Sequence, residues 1–228
     1  LIQSSSGQDV TKGAMESMSK SKKNVVDPEE IIKSYGSDAA RWFMLSDSPP
    51  DRDINWSDSG IQGSWRFCQK IWSTVTSHIN LLRNESVKNT SDSYNENARL
   101  LLQRTYQSLE AVTSSIEKFQ MNVGVAKIYE LINFISKFKP EAAEEKIALK
   151  KTLLILIRII EPMVPHLAEE CWNMCGGRGS LTHQPWPPLE SEFLIEDTVN
   201  VVVQINGKRR AEIECKVDTS EEMILKEI

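Results

Sequence analysis

Between residues 58 and 176, apolar side chains return every three or four positions, the period that lays one stripe along an α-helix. Ile61, Trp65, Cys68, Trp72, Val75, Ile79 and Leu82 make the first stripe, which assigns both tryptophans to the core. Ala98, Leu102, Thr105, Leu109, Val112, Ile116 and Phe119 make the second, and Val125, Ile128, Ile132 and Ile135 the third. A fourth helix is expected to start near Glu144. Its L-L-I-L-I-R-I-I run at 153–160 is apolar almost all round, as suits the most buried member of a group. The polar run N-E-S-V-K-N-T-S-D-S-Y-N-E-N at 84–97 reads as a loop. Helices joined by such short to medium connections predict an antiparallel bundle.

The flanks have other periods. Asp27 before Pro28, with Glu30 at the third helical position, starts a helix that stops near Gly36. S-D-A-A-R-W-F-M-L follows as a second short helix, closed by Pro49-Pro50. Residues 1–24, rich in Ser, Gly and Lys, read as a strand remnant followed by a loop. After G-G-R-G-S (176–180) and T-H-Q-P-W-P-P, the runs V-N-V-V-V-Q-I (199–205) and K-R-R-A-E-I-E-C-K-V (208–217) flank Asn206-Gly207 and predict a β-hairpin. Thr219 and Glu222 form a capping box for a last helix. A hairpin with part of a helix is marginal alone, so this unit is expected to continue past Ile228. The division is therefore 1–58, the bundle 59–176, a linker 177–197, and the start of an α+β unit at 198–228.

Composition narrows the class. Apolar content of 40% and charged content of 26% fit a globular protein, and no apolar run is long enough for a membrane span. Neither a secretory signal nor an initiator Met is present, which suggests a fragment and gives the N-x-[ST] matches at Asn55, Asn84 and Asn89 little weight. The net charge of −5 argues against a generally basic nucleic-acid binder while leaving local patches, Lys20/Lys22/Lys23 and Lys208/Arg209/Arg210. Cys171 and Cys175 lack a second pair, although His166 and His183 lie nearby. No metal site is predicted; the four cysteines read as small core residues of a reducing compartment.

The stretch E-S-M-S-K-S-K-K-N-V-V at 16–26 carries the chemistry. A lysine ammonium is a compact charge with three donors suited to phosphate oxygens, and serine hydroxyls add more. A mobile loop of this kind closes on a polyphosphate and reopens. Taken alone, the same letters describe ordinary solvated surface.

Context supplies a resemblance. Met18-Ser19-Lys20-Ser21 matches the last four positions of the K-M-S-K-S signature of class I aminoacyl-tRNA synthetases. The following K-K-N-V-V-D-P-E-E-I-I-K-S-Y-G-S-D-A-A-R-W-F-M-L and S-P-P-D-R-D-I-N-W-S-D-S-G-I-Q-G-S-W-R-F resemble bacterial-type leucyl-tRNA synthetases. So do E-P-M-V-P-H-L-A-E-E-C-W (161–172), Q-P-W-P (184–187) and V-V-V-Q-I-N-G-K-R-R (201–210), in the family's order. One position departs: Ser17 stands where the signature has its first lysine.

The resemblance implies a mainly α fold: the end of a catalytic domain, an anticodon-binding-type helical bundle, then a truncated small α+β piece. It implies that the parent joins leucine to its tRNA in two steps through leucyl-adenylate, using ATP accompanied by Mg. The ATP loop would be Ser17, Met18, Ser19, Lys20 and Ser21, with Lys20 as the catalytic phosphate contact. Ser17 would weaken ATP handling without abolishing it, and Lys22 or Lys23 are the nearest replacements for the missing charge. Arg66, Lys70 and Arg83 on the first bundle helix, and Lys208, Arg209 and Arg210 at the hairpin, are candidate tRNA-backbone contacts; the plainer role for each is a solvated face. Leucine tRNA, ATP and leucine are the expected partners of a cytoplasmic monomer that meets no membrane. With no H-I-G-H-type motif in the chain, it is expected to be inactive alone, its loop hanging free. Valyl, isoleucyl or methionyl synthetases, or a non-catalytic RNA-binding module, are the alternatives.

Overall fold

The computed structural model describes residues 14–84, 86, 87, 93–194, 198–205 and 208–216. The expected strand remnant, the Asn206-Gly207 turn and the helix from Thr219 lie outside the described residues.

Two short helices lead. In α1 (Pro28–Tyr35), Asp27 caps the start by accepting the Glu29 N–H at 2.9 Å. Gly36, at φ 84°, ends it, donating its N–H to the Ile32 carbonyl at 2.8 Å. The same glycine opens α2 (Ser37–Ser46), which buries Ala39, Trp42 and Phe43. Ser57 then caps α3 (Asp58–Thr76) through the Gly60 N–H. At Gly60 a β-carbon would come within 2.6 Å of the Phe43 ring, so glycine lets α3 approach α2.

The bundle continues with α4 (Ile79–Arg83), α5 (Glu96–Glu117), α6 (Met121–Ile135), α7 (Ala143–Ile160) and α8 (Pro165–Met174). The main core joins α2 to this bundle through Trp42 and runs over α3 to α8. As expected, α7 is buried nearly all round, with Leu153, Leu156, Ile157, Ile159 and Ile160 inaccessible or nearly so. The third stripe, Val125, Ile128, Ile132 and Ile135, is buried throughout. β1 (Thr198–Ile205) and β2 (Lys208–Lys216) pair antiparallel with Ile205 opposite Lys208, the predicted hairpin.

The first stripe needs correction. On α3 the buried face runs through Ile61, Ser64, Phe67, Ile71, Thr74 and Val75, rotated about the helix axis from the face assigned and sharing only its ends, Ile61 and Val75. Trp65 stands 38% exposed and Trp72 is only half-buried. The reason is tertiary. α3 packs on α2 and α6, and Phe67 takes the central place, its ring 5.0 Å from Trp42 and 3.7 Å from Tyr129. Trp42 Nε1 donates to the Tyr129 hydroxyl at 3.0 Å, closing the aromatic cluster. Phe119, expected to end the second stripe, sits 71% exposed at a positive-φ turn (55°) just past α5.

One buried carboxylate ties two helix starts together. Glu145 Oε1 accepts from the Asn95 and Asn97 amides at 3.0 and 3.1 Å, and Oε2 accepts from the Glu141 and Ala142 N–H groups at 2.7 and 3.1 Å. These bonds favour the charged form and hold its pKa at about 2, below the usual 4.5. The stabilisation is complete above about 4.5 and is lost as pH falls toward 2. Unfolding midpoints measured over that acid range should fall more steeply for the wild type than for Glu145→Gln; parallel curves would remove this carboxylate from the acid response.

The segment after α8 is packed down. Leu181 and Phe193 are buried, and Phe193 stacks on Tyr106 at 5.2 Å between centroids. Lys151 Nζ meets Glu190 Oε2 at 2.7 Å, and Trp186 Nε1 donates to Thr113 Oγ1 at 2.9 Å. Burial, with the Glu190 carboxylate beside it, pushes the Tyr106 hydroxyl upward and keeps it protonated.

Candidate functional site

The loop ahead of α1 is a turn hydrogen-bonded within itself. Asn24 closes it with both ends of its amide: Oδ1 accepts the Ser19 N–H at 2.8 Å and Nδ2 donates to the Ser17 carbonyl at 3.3 Å. Inside this clamp the Lys22 N–H donates to the Ser19 carbonyl and the Lys23 N–H to the Lys20 carbonyl, both at 3.2 Å. Ser19 and Ser21 hydroxyls lie 3.2 Å apart. Lys23 closes the turn at φ 52°, a left-handed conformation that suits glycine better than lysine.

The three lysines of the loop divide their roles. Lys22 Nζ pairs with Glu16 Oε2 at 2.9 Å, so its charge is engaged. Lys20 and Lys23 are exposed and have no partner among the described residues. Met18, half in solvent, adds no polar group. Exposed ammonium, hydroxyl and amide donors on one turn make a surface that complements phosphate oxygens.

α2 carries the loop's base onto the bundle. Asp38 Oδ2 accepts the Leu167 N–H at 2.7 Å, placing a carboxylate on the first turn of α8, and Oδ1 lies 2.9 Å from His166 Nδ1. One turn along, Arg41 donates through Nη2 to the Pro162 carbonyl at 2.7 Å and through Nε to the Met163 carbonyl at 3.1 Å. Those carbonyls follow the end of α7, where partial negative charge gathers, and the α8 start is partly positive. The D-A-A-R spacing thus reads both poles of the E-P-M-V-P-H connection, and this is the physical content of that motif.

The candidate RNA contacts are not gathered on one face. Arg66 is exposed and unpaired among the described residues, next to the exposed Trp65. Lys70 Nζ is engaged by Asn133 Oδ1 at 2.6 Å. Arg83 Nε donates to the Met174 carbonyl at 2.6 Å, satisfying the C-terminus of α8. Arg210 is exposed on β2, while the side chains of Lys208 and Arg209 lie outside the description. A groove of about 560 Å³ beside Phe43, Gly63 and Tyr129 carries the Asp47 carboxylate, which opposes phosphate.

Burial pushes the Cys68 and Cys171 thiols up to about 12 and Cys175 to about 11, so they are protonated at neutral pH. Among the described residues no three His, Cys, Asp or Glu side chains assemble as a metal-binding group. No described helix is long and apolar enough to cross a membrane. The residues that reading the sequence missed are Glu16, Asn24, Asp38 and Arg41. Asn24 had a signal, since asparagine favours turns, but the long-range partners of Asp38 and Arg41 had none.

Comparison with known proteins identifies the family. Residues 98–225 match the family described as the anticodon-binding domain of tRNA ligase, and residues 10–57 match the class I tRNA synthetases for I, L, M and V. The leucine–tRNA ligase of Parvibaculum lavamentivorans (strain DS-1) is 44% identical over 222 residues, 96% of this chain and 25% of that protein. That of Maricaulis maris (strain MCS10) is 44% identical over 224 residues, 98% of this chain and 26% of that protein. The chain thus spans about a quarter of the length of the curated relatives it matches. In the crystal structure of the ternary complex of Agrobacterium radiobacter K84 agnB2 LeuRS-tRNA-LeuAMS, the match covers 92% of this chain and 27% of that one, with 28% identity and a TM-score of 0.76. Methionyl-tRNA synthetase of Mycobacterium tuberculosis in its apo form shares the fold over 67% of this chain and 35% of that one, at 18% identity and a TM-score of 0.54. The family match extends over more than half of the sequence, and the chain belongs to the class I tRNA ligases that carry this anticodon-binding domain, with leucine–tRNA ligases among its relatives.

Proposed function

We propose that this chain supplies the ATP-phosphate loop and the tRNA-supporting bundle of a leucine–tRNA ligase. The observation that carries the reading is Lys20, exposed and unpaired among the described residues, on a turn held by its own hydrogen bonds. In the first step a leucine carboxylate attacks the α-phosphorus of ATP and pyrophosphate leaves. Lys20 holds the β- and γ-phosphate oxygens, where negative charge accumulates, while Ser19 and Ser21 add hydroxyl donors. Magnesium enters with ATP as part of the substrate, bound mainly through its phosphates. In the second step the leucyl group passes to the terminal ribose of leucine tRNA, whose backbone the bundle braces through Arg66 and the hairpin cations Lys208, Arg209 and Arg210; Lys70 and Arg83 add charge at the edges. The protein works as a cytoplasmic monomer without a membrane partner. The two curated relatives described above are leucine–tRNA ligases, and the likeness to methionyl enzymes is one of fold, which disfavours the methionine reading.

A chimera tests this: the Parvibaculum ligase with this chain in place of its matching quarter. It should show leucine-dependent ATP–pyrophosphate exchange, and the isolated chain none. A silent chimera that folds would overturn the assignment. Filter binding of leucine tRNA by the chimera across a salt series should weaken for Arg66→Ala, with a slope lower by about one; an unchanged slope would return Arg66 to plain surface.

A further inference from the structure

We propose that Asn24 is the positioning residue of this loop, a latch that holds Lys20 at the angle from which it meets polyphosphate. The inference rests on the reading of Lys20 as the phosphate contact. Asn24 reaches back to two backbone groups on the near side of Lys20, the Ser17 carbonyl and the Ser19 N–H. The far side is tied by the Lys23 N–H on the Lys20 carbonyl. The Lys20 backbone is thereby fixed on both flanks, and its side chain projects from the middle of the turn into solvent.

Four further features fit a latch. Asn24 bonds main-chain atoms only, so the serine at position 17 leaves the closure intact where the family signature has lysine. The left-handed Lys23 is a conformation that needs an external restraint in a non-glycine residue, and the adjacent Asn24 amide provides it. Both Asn24 bonds are in solvent, so each is weak enough to break when the loop must open after pyrophosphate leaves. Glu16 meanwhile holds Lys22 aside, leaving Lys20 as the cation presented between the two serines.

Single and double variants of the chimera test the latch by leucine-dependent ATP–pyrophosphate exchange. Asn24→Ala should lower kcat about 10-fold, leave the leucine KM unchanged, and cost nothing further in a Lys20→Ala background, because the two act as one unit. Hydrogen exchange over residues 17–24 should quicken at the Ser19 amide in Asn24→Ala while the bundle amides keep their protection. An unchanged kcat for Asn24→Ala beside an impaired Lys20→Ala would overturn the latch and spare the phosphate reading. Losses that multiply in the double variant would do the same. A fully active Lys20→Ala would overturn both.

Discussion

Lys20→Ala in the chimera is expected to lower the rate of leucine-dependent ATP–pyrophosphate exchange by about 100- to 1000-fold, the scale of one preorganised donor aimed at developing charge. The leucine KM should stay near its starting value, because the interaction is made mainly with charge that appears in the transition state. Compensation from the neighbours falls to Lys23, exposed and unpaired among the described residues. Ser17 offers no ammonium, and Lys22 is held by Glu16 at 2.9 Å. Lys20→Arg should recover part of the loss, since it restores charge but replaces a compact ammonium with a wider planar fork. Steady-state exchange kinetics decide the matter. A Lys20→Ala chimera with unaltered kcat would place phosphate binding elsewhere in the protein.

The second large effect is on stability. Trp42 is fully buried, packs against Phe67, and gives its indole N–H to Tyr129. Trp42→Ala should destabilise the chain by about 3–5 kcal/mol, combining lost burial with the cavity left behind. Trp42→Phe, which keeps a ring but strips Tyr129 of its donor, should cost about 1–2 kcal/mol. Guanidinium denaturation with an unchanged m-value would report both. A loss below about 1 kcal/mol for the alanine variant would mean that α2 contributes little to holding the bundle.

The bundle was legible because its signal is local. α6 buries the stripe its period names, α7 is buried as its apolar run predicts, and Asp27 and Gly36 mark boundaries that short-range chemistry enforces. What failed to show in the letters was the rotation of α3. Trp65 and Trp72 have the period of a stripe, but Phe67 and Ile71 define an alternative one turned to one side. Only the position of Trp42 and Tyr129 decides between them. The site divides in the same way. Lys20 and its serines were readable as a motif, whereas the Asn24 clamp depends on which backbone groups the turn brings within reach. The cationic candidates looked alike in sequence, but Lys70 and Arg83 are engaged by groups 63 and 91 residues away.

The contacts of Asp38 and Arg41 with the segment between α7 and α8 bear on how such a protein can be recombined. A boundary drawn at residue 58 separates the loop-bearing part from the bundle on paper, yet a carboxylate and a guanidinium stitch residues 38 and 41 to 162–167 across it. An exchange of segments between homologues that cuts at 58 would inherit one half of this stitching from each parent. Offspring whose two halves come from different lineages would keep a working loop and a well-packed bundle, and still hold them at the wrong angle. The unit that can be shuffled intact therefore runs from residue 28 to residue 194, since Leu181 and Phe193 belong to the same core.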